Sequence, residues 1–224
     1  MKDKLVSIKQ RVDEYCKPIK PFFNTVMIPL LWFGLYAIVQ NLWLSNNLLL
    51  VVISIIMTTW TLYYTLAHPK VEPYEFASRK TPWLITGLIF LGMFAMIAVE
   101  SALFNSHRVS ANQSGINIML KYNPYMIMAE TAIIAPIFEE NIFRRCIINF
   151  KNGITVIVTS IISIIIFVLA HMVGTAWTQI PILITYLIPT LCLTGVYVGT
   201  RDIKYSMTMH CIYNLIVSLS VLMR

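Results

Sequence analysis

Long apolar runs alternate with short polar segments along this chain, at a spacing close to that of a membrane crossing. About 20 apolar residues, rising 1.5 Å each in a helix, span a hydrocarbon layer about 30 Å thick. Seven windows meet that length, at roughly 22–44, 47–67, 82–104, 124–150, 153–173, 179–200 and 204–223. The pattern predicts an all-α, polytopic membrane helical bundle of about seven transmembrane helices, folded as one integral membrane domain over 1–224. The first two windows follow each other closely, so a re-entrant hairpin remains an alternative there.

The segments between the runs set the orientation. Residues 1–20 carry six Lys or Arg, the 68–81 loop three, the turn after the fourth window three and the turn after the sixth two. The other side carries three: Arg108, Lys121 and Arg224. Cytoplasmic loops are the basic ones, so 14 against 3 places the N-terminus in the cytoplasm and the C-terminus outside. Residues 1–20 then read as a basic cytoplasmic N-terminus. They are too polar for a signal peptide.

Composition agrees with a lipid bilayer as the main partner. The chain is 58% hydrophobic and 12% charged, with mean hydropathy +0.72. A soluble domain is nearer 45–50% and 25%. The net charge of +7 is explained by the loops. No interleaving of aromatic and basic residues suggests base stacking, so nucleic acid is set aside. Cys16, Cys146, Cys192 and Cys211 have no CxxC spacing and read as small hydrophobic residues.

Ionisable groups inside a span are costly and call for a reason. The segment PIFEENIFRR, Pro136 to Arg145, holds the densest set. Residues four apart share a helix face, so Glu140 can pair with Arg144. Glu139 points about 100° away and has no partner in its own helix. An unpaired carboxylate of this kind suits a general base, whereas the bland alternative is an interfacial salt bridge. His171 closes the uncharged run VIVTSIISIIIFVLAH. Alone, such a histidine is more often an interfacial hydrogen-bonding residue. His210 and Asn214 again share a face and suit either an interhelical contact or stabilisation of an oxyanion. Glu100 reads as reaching water near the outer end of its span. Glu130, nine residues before Glu139, reads as structural and on the opposite face.

Three helices thus supply Glu, Arg, His, His and Asn, an inventory able to activate water. Two histidines and a glutamate could also hold a divalent metal such as zinc, with Glu139, His171 and His210 as ligands. HExxH and GxSxG are both absent.

The motifs EENIFR (139–144), FVLAH (167–171) and HCIYN (210–214), in that order on separate spans, resemble the EExxxR, FxxxH and HxxxN pattern of the CAAX protease and bacteriocin-processing (CPBP or Abi) family of intramembrane proteases. The resemblance covers roughly 124–220. It implies that Glu139 activates the attacking water and that Glu140 and Arg144 support it. It implies that His171 and His210 are the site histidines and that Asn214 helps polarise the carbonyl. The family has been described both as metal-dependent and as glutamate-dependent, so the metal stays open. Arg145 stands where many members have a small residue, which either only adds cytoplasmic charge or narrows the mouth of the site.

The resemblance implies an intramembrane endopeptidase cutting a membrane-associated peptide or protein, with its cavity open toward the cytoplasm. A eukaryotic member would cut prenylated CAAX tails. Richness in Ile, Lys and Asn leans toward a bacterial plasma membrane and toward bacteriocin self-immunity or peptide maturation. A non-proteolytic scaffold and a small transporter are the competing classes. One geometric difficulty is visible. Measured from the nearest cytoplasmic turns, Glu139 lies about 19 Å, His171 about 28 Å and His210 about 9 Å along their helices. Groups of one site need one depth, and a Glu139–His171 separation above about 10 Å would exclude a shared site.

Overall fold

The structure, a computed structural model, describes residues 28–223 apart from 46, 69–70, 72–77, 79, 105–108 and 177. The basic segment 1–20 lies outside the described residues. Those described form helices α1 (Ile28–Trp43), α2 (Leu48–Ala67), α3 (Thr81–Phe104) and α4 (Ala111–Tyr122), and then a composite α5. In α5 the stretches Pro124–Ala129, Glu130–Ile134, Ala135–Glu139 and Glu140–Cys146 run on from one to the next. Helices α6 (Gly153–His171), α7 (Ile180–Thr200) and α8 (Ile203–Leu222) complete the chain.

Five of these helices, α2, α3, α6, α7 and α8, are long and apolar enough to cross a membrane. Helix α1 is apolar but has only 16 residues. With α1 and α5 the seven expected spans are all present as helices. Helix α4 is additional. Its sequence ANQSGINIMLKY is too polar to register as a span, yet Ser110 accepts a hydrogen bond from the Gln113 N–H and starts it.

The helices are sorted by what they turn outward. On α6, Ile154, Ile157, Ile161, Ile165 and Leu169 form an exposed stripe at helical spacing, while Ser163 and Phe167 are buried. On α2 the pattern is inverted relative to a soluble helix: Ser54, Thr58, Thr61 and Thr65 face inward and aliphatic side chains face out. Lipid is as apolar as leucine, so small residues that allow close approach become the packing face. The Thr65 hydroxyl lies 3.0 Å from the Asn141 Oδ1, joining α2 to α5.

Two stretches of α5, Glu130–Ile134 and Glu140–Cys146, are wound as π-helix. Pro136 follows the first and has no N–H to offer the turn before it, which disfavours a regular α ladder there. Each π turn takes an extra residue, so the rotation per residue falls. This winding has a direct effect on the site.

Candidate active site

Glu139 is the last residue of an α stretch in α5, and its carboxylate lies between two imidazoles. His171 Nε2 is 3.9 Å from Oε1, and His210 Nε2 is 3.6 Å from Oε2. The depth difficulty disappears because the turn after α5 is not level with Lys151. The Asn149 N–H donates to the Thr159 hydroxyl at 3.0 Å, and the Ser163 hydroxyl donates to the Phe143 carbonyl at 2.6 Å. The first six residues of α6 therefore project past the end of α5. Counted from the Asn149–Thr159 level, Glu139 and His171 lie about 15 and about 18 Å along their helices. His210 is placed at the site by its own 3.6 Å approach to Glu139, and Ile203 at the start of its helix packs in one apolar cluster with Ile148.

Each histidine is fixed through its other nitrogen. His171 Nδ1 is 2.9 Å from the Phe167 carbonyl, which can only accept, so Nδ1 carries the proton. His210 Nδ1 is 3.0 Å from Glu140 Oε1 and donates to it. With Nδ1 the donor in each ring, Nε2 is the atom turned towards Glu139. Phe167 stacks on His171 with centroids 4.2 Å apart. Its ring also lies 4.4 Å from the Arg144 guanidinium carbon, a cation–π contact. This explains the phenylalanine in FVLAH, whose role the sequence alone left blank.

Glu140 and Arg144 form the expected i,i+4 pair at 3.2 Å, and both are fully buried. Asn214 donates its amide to the Thr131 carbonyl at 2.8 Å, bracing α8 against α5 beside the site. It also lines the cavity. Glu139, Glu140, Arg144, His171 and His210 thus form one contact network, and Asn214 lines the same cavity.

Three expectations are corrected. Glu130 does not face away from Glu139: both line the same cavity, because π winding retards the rotation between them. Its Oε1 accepts from the Tyr36 hydroxyl at 2.9 Å and from the Gln40 amide at 3.0 Å. Glu100 does not reach water. It is buried and accepts from the Thr185 hydroxyl at 3.2 Å. Arg145 does not narrow the mouth. It donates to the His68 carbonyl at 2.7 Å, just past the C-terminus of α2, and sits over the Tyr64 ring.

The cavity encloses about 700 Å³, within the usual range for a ligand site. Glu139, His171 and His210 line it together with Tyr186, Asn214 and the inner face of α4. Glu139, His171 and His210 are the residues that would hold a metal. Tetrahedral zinc at about 2.0–2.2 Å from N and O ligands sets neighbouring ligand atoms roughly 3.3–3.6 Å apart, and the two separations here are 3.6 and 3.9 Å. Among the described residues no group of three His, Cys, Asp or Glu has metal-binding spacing. A single water within reach of both the carboxylate and an imidazole also fits this spacing.

Comparison with known proteins agrees with the motifs. Residues 121–216 match the family model described as "Type II CAAX prenyl endopeptidase Rce1-like". A curated protein from Lactococcus lactis subsp. cremoris, described as "UPF0177 protein in abiGi 5'region", is 31% identical over 139 residues. That similarity takes in 58% of this chain and 53% of the relative, about half the relative's length. No solved structure matches.

Proposed function

We propose, from the Rce1-like region at residues 121–216, that this multi-pass membrane protein is an intramembrane endopeptidase. It hydrolyses a peptide bond in a membrane-associated peptide or protein. The observation that carries this reading is a carboxylate set 3.6 and 3.9 Å from two tautomer-fixed histidines in a cavity.

In this mechanism a water sits between Glu139 and the histidine Nε2 atoms. Glu139 takes its proton as the oxygen attacks the scissile carbonyl carbon. The carbonyl becomes a tetrahedral oxyanion, stabilised by the second amide hydrogen of Asn214. Glu139 then returns its proton to the leaving nitrogen as the C–N bond breaks. Glu140 holds His210 in register, Arg144 balances the charge of Glu140, and Phe167 fixes the plane of His171. Proton transfer of this kind contributes about 10²–10⁴-fold.

The bacterial relative and the Ile- and Asn-rich composition favour a bacterial plasma membrane, and a role in bacteriocin self-immunity or peptide maturation. The name of the family model supports the alternative of a CAAX-type prenyl-protein endopeptidase. The test is to express Glu139→Gln and His171→Ala separately, confirm membrane insertion, and assay candidate peptide cleavage together with the cell phenotype. Loss of both readouts in both variants supports a protease. Retention of the phenotype without cleavage supports a scaffold.

A further inference from the structure

The cavity has a floor and a mouth, and they lie at opposite ends of the bundle. Its wall draws on Leu44 after α1, on Val109 and Ser110 before α4, on the inner face of α4, on Ile182 near the start of α7, and on Ser218 late in α8. All of these lie toward the end that holds the α1–α2, α3–α4 and α6–α7 connections. None of the described lining residues comes from the turns at the other end, 147–152 or 201–202. Among the described residues that end is closed. Glu140 and Arg144 sit fully buried under the floor, and Ile137, Ile148, Tyr197, Ile203 and Met207 pack together below them.

Charge says which end is which. Arg144 is buried in the site and drops out of the loop count. The remaining basic residues still divide thirteen to three, and the basic end is the closed one. Basic loops stay in the cytoplasm. We infer that the catalytic cavity opens to the extracytoplasmic face, so that the substrate is a peptide, or a peptide segment of a membrane protein, that has already reached the outer leaflet. This departs from the cytoplasmic opening that the family resemblance implies. It rests on the protease reading for the word substrate, but the direction of opening does not.

Helix α4 forms the roof on that side. The Ala111 N–H donates to the Thr175 hydroxyl at 2.9 Å, and the Ser110 hydroxyl bonds to the Tyr186 hydroxyl, tying the start of α4 to the far wall. Asn112 and Gln113, at that tethered end, line the cavity and place amide groups at the mouth. The reaction upstream of this enzyme is therefore export or membrane insertion of the peptide, and the cleaved product is released outside the cell.

Site-directed labelling tests the inference without any assay of proteolysis. Single cysteines are placed in a background with Cys16, Cys146, Cys192 and Cys211 replaced by serine or alanine. Asn112→Cys marks the mouth, Ala170→Cys marks the wall beside His171, and Lys151→Cys marks the basic end. Intact cells are treated with a membrane-impermeant maleimide, before and after permeabilisation. The first two positions are expected to label in intact cells and Lys151→Cys only after permeabilisation. The reverse pattern overturns the inference. So does failure of both cavity positions to label under either condition while Lys151→Cys labels. If labelling is outward and the phenotype is retained with no cleavage, the orientation stands and the protease reading falls.

Discussion

Glu140 Oε1 lies 3.0 Å from His210 Nδ1, and the same oxygen faces Arg144 Nη1 at 3.2 Å. One buried carboxylate oxygen therefore sets the tautomer of a site histidine and neutralises a buried arginine. The neighbouring Glu139 remains free to face the cavity. Two adjacent glutamates carry two different tasks because a helix turns about 100° between them.

Glu140→Ala leaves Arg144 buried without its counter-charge. Removing one partner of a buried pair costs about 3–5 kcal/mol, so thermal unfolding in detergent should move down sharply. Glu140→Gln keeps the shape and removes the charge, and is expected to fold but to cleave peptide at least tenfold more slowly. Wild-type cleavage by Glu140→Gln would contradict the role given to the His210 Nδ1 contact.

Phe167→Leu keeps the position apolar but smaller, a change at the mild end of the roughly 0.5–5 kcal/mol that large-to-small core substitutions cost. It removes the ring that stacks on His171 and lies against Arg144. The expected result is a nearly unchanged melting point with cleavage reduced by about an order of magnitude, since a small misplacement of a reacting group is costly. Equal losses of stability and activity would mean that Phe167 only fills space.

Asn214→Ala strips the hydrogen bond to the Thr131 carbonyl, 2.8 Å long and partly buried. An acceptor left unsatisfied costs about 1–3 kcal/mol. Both stability and turnover should fall. Asn214→Gln, whose longer side chain moves the amide, should not restore turnover.

Dialysis against a strong chelator should leave peptide cleavage within about twofold, because the proposed mechanism draws the activation of water from the Glu139 carboxylate and routes no step through a metal. Stoichiometric zinc that restores lost activity after chelation would show instead that the trio closes around a metal.

Much of this site was legible because helical spacing is rigid. Glu140 with Arg144, and His210 with Asn214, follow from residues four apart sharing a face. The lipid-facing stripe of α6 follows from its isoleucines. What the sequence hid depends on departures from regular geometry. Glu130 and Glu139 share a cavity only because α5 winds as π-helix, and nine residues of ideal helix would separate them by half a turn. Glu139 and His171 meet only because α6 overshoots the end of α5, a register fixed by Asn149 with Thr159. Helix α4 escaped because its residues are polar, although Ser110 ahead of it and Asn123–Pro124 behind it are ordinary capping signals. Phe167 reads as one more apolar residue until its two contacts are seen.

The central claim is that Glu139 and His171 act as one unit on a single water. A double-mutant cycle on peptide cleavage tests it most directly, comparing Glu139→Gln, His171→Ala and the pair in protein reconstituted into vesicles. Residues that act together give strongly non-additive losses. The expected result is a fall of about 10² or more in each single variant, with the double variant scarcely worse than either. Losses that multiply, or a Glu139→Gln variant that cleaves like the wild type, would contradict it.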